Sequence, residues 1–132
     1  GDLDEVISLC MLDERFLPCI DFGHLNSRAT GGVNSRDRFA AALDKIESAL
    51  GRERASMIHI HFSKIEYTAA GERRHLTFED SQFGPEPEPL MELIAEREWT
   101  PTVICESRGT QDNDARILKL LYDGYRLAQE QK

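Results

Sequence analysis

Cysteine is scarce in this chain of 132 residues: Cys10, Cys19 and Cys105 are the whole set, an odd number with no C-x-x-C spacing. The expectation is buried thiols in a reducing compartment, the cytoplasm. Cys19 and Cys105 fall inside apolar runs rather than at their ends, which argues against a thiolate metal ligand. Long hydrophobic runs are missing too. Nothing approaches the ~20 apolar residues that cross a bilayer, so no membrane partner is expected. The opening Gly1-Asp2-Leu3-Asp4-Glu5 is acidic where a secretory signal is basic. With no initiator Met, the chain reads as a piece of something longer.

Positive charge is also in deficit. Sixteen Lys and Arg face 24 Asp and Glu, a formal charge of −8. Phosphate neutralisation needs cations, so an acidic chain offers little to nucleic acid through bulk charge. The placement of the charges matters more than their sum. Arg28, Lys64, Arg73, Arg74 and Arg108 all lie in segments that follow an apolar run, whereas Asp2, Asp4, Glu5, Asp44, Glu47, Glu92, Glu96 and Glu98 lie on expected helices. A phosphate-binding rim and ordinary solvated charge both fit that distribution.

What is present is an ordinary soluble composition, 40% hydrophobic and 30% charged, enough for one domain with a moderate core. Three apolar runs end in acids or histidines. They are Phe16-Leu17-Pro18-Cys19-Ile20-Asp21, followed by Phe22-Gly23-His24; Met57-Ile58-His59-Ile60-His61-Phe62; and Thr102-Val103-Ile104-Cys105-Glu106. Each reads as a short buried strand. Helical spacing separates them: residues 2–13 behind an Asp2 cap, a helix opened by Asn34 or Ser35 and closed by Gly51, and a short one around Leu90, Leu93 and Ile94 ended by Trp99-Thr100-Pro101. A last helix carries Ile117, Leu118, Leu121, Tyr125 and Ala128. Residues 23–34 read as a working loop, and Ser63–Pro89 shows no period and reads as a longer one.

The order α-β-α-β-α-β-α predicts three parallel strands with four helices, an α/β arc of a closed sheet. A (β/α)8 barrel takes about 250 residues, roughly twice this length. Such sheets place their chemistry at the carboxyl ends of the strands. Asp21 and His24, the His59–His61 pair and Glu106 would meet there as a divalent-metal site for Zn2+, Mn2+ or Mg2+. His59 and His61, two apart, share a face, so one can be the ligand and the other its support or a substrate contact. His75 lies in the long loop, with surface exposure as the plain alternative.

These residues resemble the carboxyl-terminal part of the endonuclease IV family, within the xylose-isomerase-like TIM barrels. The resemblance spans residues 1–132 and rests on Ile20-Asp21-Phe22-Gly23-His24 for the family's Asp-x-x-His and on His59-Ile60-His61-Phe62-Ser63-Lys64 for its His-x-x-x-Ser-Lys. Arg73-Arg74-His75 stands for its Asp-Arg-His, and Ile104-Cys105-Glu106 for its terminal Glu. It implies a zinc-dependent phosphodiesterase that cuts DNA at abasic sites. Asp21, His59 and Glu106 then correspond to ligands of the most shared metal, with Asp21 and Glu106 catalytic, and His24 and His75 to ligands of a third. His61, Arg73, Arg74 and Arg108 would face the substrate. The chain departs from the pattern at Arg73, where the family has Asp, with Glu72 as the neighbouring substitute. The family's amino-terminal histidines and bridging glutamate are absent, so the chain alone is expected to be inactive. The same Asp, His and Glu also resemble the single Mn2+ or Mg2+ site of sugar isomerases and epimerases in this barrel group. Open sheet edges predict self-association of the chain.

Overall fold

A computed structural model of the chain describes residues 2–132. The elements run α1 (Leu3–Cys10), β1 (Cys19–Asp21), α2 (Phe22–Arg28), α3 (Arg36–Leu50), α4 (Arg52–Ser56), β2 (His59–Phe62), β3 (Ile65–Thr68), β4 (Gly71–His75), α5 (Pro87–Glu96), β5 (Thr102–Cys105) and α6 (Gln111–Glu130). Strands β1, β2 and β5 form a parallel sheet in that order, so each strand lies beside the next of its kind in sequence. The ladder continues past the strand ends, with the Glu106 N–H donating to the Phe62 carbonyl at 3.0 Å. Glu106 is thereby carried to the carboxyl end of the sheet.

Alternation along the strands sets the two faces. Ile20, Ile60, Phe62 and Cys105 point into a core closed by Phe39, Leu43 and Ile46 of α3, Leu90 and Ile94 of α5, and Leu118 of α6. The opposite face carries Cys19, Asp21, His59, His61, Thr102 and Ile104, none of which is buried. Parallel strands covered on both sides are apolar throughout. Only one side of these strands is buried, and the uncovered side, Ile104 aside, holds the polar and titratable residues.

Three elements differ from expectation. Helix α2 occupies the first half of the stretch that composition marks as a loop. Asp21 caps it through the His24 N–H at 2.9 Å, and Phe22 packs edge-on against Phe39 with ring centroids 5.6 Å apart. One cap and one buried aromatic outweigh a Gly-, Asn- and Ser-rich composition. The second difference is the hairpin β3–β4, antiparallel, in the segment that shows no period. Its strands close over Ala69-Ala70, and Gly71 takes φ +119°, a conformation that favours glycine. A bulge between Glu66 and Tyr67 breaks the two-residue alternation that would have announced β3. The third is the short helix α4 after Gly51. Among the described residues, six helices rather than four therefore accompany the three parallel strands.

The remaining helices follow the pattern of the sequence. Asp2 caps α1, accepting from the Glu5 N–H at 2.8 Å, and Ser35 caps α3, accepting from Arg38 at 3.3 Å. Phe39, Ala42, Leu43, Ile46 and Leu50 are buried along α3 as their spacing requires. On α6 the buried stripe fades toward its end, where Ala128 is exposed.

Candidate metal centre

Register decides which histidine joins the carboxylates. Asp21 lies opposite His61 across β1 and β2, whereas His59 lies opposite Cys19, one strand repeat lower. His61 Nδ1 stands 3.2 Å from Glu106 Oε1 and 4.0 Å from Asp21 Oδ2. His61 thus occupies the place between the two carboxylates for which the motif nominated His59. The histidine that the resemblance assigned to substrate contact is the one that bridges the strand ends.

Asp21 divides its two oxygens between fold and site. Oδ1 holds the α2 amino end, and Oδ2 lies 2.5 Å from His24 Nδ1. The other ring nitrogen of His24, Nε2, lies 2.7 Å from Glu72 Oε2 on β4. Burial works against a charged His24, but the hydrogen bonds and charges of Asp21 and Glu72 outweigh it and hold its pKa above the ordinary 6.5. One oxygen or nitrogen each from Asp21, His24 and Glu106 lies within 4.8 Å of the other two. Ligands of one tetrahedral ion at their usual bond lengths stand about 3.4 Å apart. Small side-chain rotations would therefore gather this set around a cation, and the two oxygens with nitrogen suit Zn2+ or Mn2+.

The hairpin brings the fourth histidine alongside. His75 ends β4 with its ring centroid 5.6 Å from that of His24, and Ser63 Oγ is 2.7 Å from His75 Nδ1. Glu72, not Arg73, is the β4 residue that reaches His24. Arg73 and Arg74 turn to the same oxygen of Glu66, at 3.7 and 3.2 Å, on the exposed side of the hairpin. Arg108 is exposed in the turn after β5, and its N–H donates to the Leu76 carbonyl at 3.3 Å, tying that turn to the end of the hairpin.

Lys64 leaves the cationic rim. It is 3% exposed, with Nζ donating to the Asp80 carbonyl at 2.5 Å and paired with Glu86 at 3.2 Å, so it anchors the 76–86 segment. An open cleft beside β1 is lined by Cys19, Asp21, His24 and Arg28, which gives the strand ends a route to solvent.

Sequence reasoning expected Cys19 to be a buried thiol inside its strand and argued against it as a metal ligand. Cys10 and Cys105 are buried as expected, but Cys19 is exposed on the uncovered face. The signal was available: Cys19 sits two residues before Asp21 and so shares its face. Burial, then the charges of Asp21 and Glu106, push its thiol above its ordinary pKa, which places it in the field of the same carboxylates.

Among known proteins, an uncharacterized protein of the archaeon Methanocaldococcus jannaschii is 41% identical over 123 residues. The match covers 93% of this chain but only 44% of the relative, so the chain spans less than half the length of the curated relative it matches. No protein-family model matches the chain, and no solved structure does. Among the described residues, no helix is long and apolar enough to cross a membrane.

Proposed function

We propose that the chain is the carboxyl-terminal arc of a TIM barrel whose parent protein is a metal-dependent phosphodiesterase of the endonuclease IV type, acting on abasic DNA. One observation carries the reading: Asp21, His61 and Glu106 converge from three adjacent parallel strands, with His24 beside them in the first turn of α2 and Glu72 and His75 brought alongside by the hairpin. The barrel is supported by the sequential strand order and by the polar uncovered face. A relative more than twice as long as this chain leaves room for the remaining strands.

Asp21, His61 and Glu106 would hold one ion, and His24, Glu72 and His75 a second. Glu72 takes the part that the Arg73 departure leaves open. Bound zinc would supply Lewis-acid stabilisation of developing charge and a nucleophile at neutral pH. The protein groups do the positioning. Ser63 fixes the His75 ring and Asp21 fixes the start of α2 and with it His24, while Arg108, Arg73 and Arg74 would be the cations available to flanking phosphates, the last two on release from Glu66. Three free thiols among the described residues fit a reducing, cytoplasmic setting. Alone, the chain is inactive, and its open sheet edges favour self-association.

A second reading has its own support. The Asp21–His24–His61–Glu106 set suffices for a single Mn2+ or Mg2+, and a charge of −8 favours a small sugar over DNA. The parent protein, assayed with Zn2+ and with Mn2+ on an abasic-site duplex and on a panel of ketoses, separates the two. For the phosphodiesterase, His75→Ala is expected to abolish most cleavage. Ketose turnover that survives His75→Ala would replace that reading with the isomerase.

A further inference from the structure

Below the carboxylate row, the uncovered face carries a second donor set of different chemistry. Cys19 and His59 are register partners on β1 and β2, and His61 is the next residue of β2 on the same face. One donor atom from each of Cys19, His59 and His61 lies within 4.8 Å of the other two. The two imidazole rings stand edge to face with centroids 5.2 Å apart. His61 turns Nδ1 toward Glu106, which leaves its other ring nitrogen for another partner.

We propose that Cys19, His59 and His61 form a second metal site, selective for a borderline-soft ion such as Zn2+ and closed to Mg2+ and Mn2+. A sulfur and two imidazole nitrogens are ligands that select zinc, whereas Mg2+ and Mn2+ take oxygen donors. Three protein ligands also leave one tetrahedral position open. On binding, the Cys19 thiol releases its proton to solvent as the sulfur–metal bond forms, with no change in oxidation state. Cys19 and His59 lie one two-residue strand repeat, about 6.6 Å, beneath the Asp21 row, to which His61 belongs. The two sites are therefore stacked along the strands, oxygen-rich at the carboxyl ends and sulfur-bearing below, with His61 between them. This inference stands on the three side chains and does not require DNA cleavage, although it shares His61 with the carboxylate set.

Co2+ reports a thiolate ligand directly, through sulfur-to-cobalt charge-transfer absorption in the near ultraviolet. Titrated into the reduced chain, Co2+ is expected to develop that band, Zn2+ to abolish it by displacement, and excess Mg2+ to leave it unchanged. Cys19→Ser should lose the band, while Asp21→Asn should keep it, which separates this site from the carboxylate one. His59→Gln should weaken Co2+ binding by more than the ~10–100-fold that loss of a supporting partner costs. Zn2+ should also slow alkylation of Cys19 in the unmodified chain, read by peptide mass, a measurement that needs no variant to fold. Absence of the band, its survival in Cys19→Ser, or alkylation of Cys19 at one rate with and without Zn2+ overturns the proposal.

Discussion

Asp21 Oδ1 accepts the His24 N–H while Oδ2 faces the His24 ring, so one side chain holds up a helix and presents a ligand. The two duties are separable because asparagine caps helices about as well as aspartate but carries no charge. Asp21→Asn is expected to melt near the unsubstituted chain, whereas Asp21→Ala should lose roughly 1 kcal/mol with its cap. Both should lose zinc affinity at the carboxylate set, measured by chelator competition. Equal affinity in Asp21→Asn and the unsubstituted chain would mean that Asp21 is a helix brace and nothing more. Residue identity marked Asp21, His24 and Glu106 as candidates in the sequence, because polar ends recur on all three apolar runs, whereas a single strand-end Asp is as readily a helix cap, the duty Asp21 also performs. Choosing between His59 and His61 was not possible at that level. Both share a face, and only the pairing of β1 with β2 shows which one lies opposite Asp21.

At the scale of elements, α2 depends on a close approach that a single glycine permits. A Cβ on Gly23 would stand 2.6 Å from the Ser63 carbonyl oxygen and 3.0 Å from Ile65 Cδ1. The first is backbone and cannot swing away, so Gly23→Ala must push α2 off the β2–β3 junction. Overpacking of this kind costs about 1–3 kcal/mol. It should also move His24 away from Glu72 and weaken zinc binding at the strand ends. Heat denaturation and zinc titration of Gly23→Ala together test this, and a variant as stable and as avid as the unsubstituted chain would refute the tight junction. Elements with one dominant signal were legible, such as α3 with its five-residue apolar stripe between Ser35 and Gly51. Those decided by tertiary contact were not. Helix α2 rests on its cap and on Phe22 against Phe39, and β3 on a bulged pairing whose alternation is broken at Tyr67. The hairpin matters for function because it carries Glu72 and His75 to His24, and a loop reading of residues 63–89 conceals that delivery.

For the whole molecule, the unmet surfaces point to association. The outer edges of β1 and β5 pair with no strand among the described residues, and unpaired strand edges invite pairing with another chain. Apolar side chains crowd the connection into β1: Leu9, Met11, Leu12, Phe16 and Leu17 are each at least 44% exposed. Monomers rarely leave contiguous apolar patches beyond a few hundred Å2 uncovered. In a closed barrel the rest of the sheet would cover this edge; in the chain by itself a second copy is the available cover. A formal charge of −8 opposes that contact, and salt screens the opposition, with a Debye length near 10 Å at 0.1 M falling to about 3 Å at 1 M. Sedimentation equilibrium should therefore show self-association that strengthens from low salt to high. Replacing Leu12 and Phe16 with Glu should weaken it at every salt concentration. The directions have opposite causes, since ion-paired association would weaken with salt. A monodisperse monomer at high concentration and high salt, with no binding of a hydrophobic dye, would show that the chain covers these surfaces without a partner.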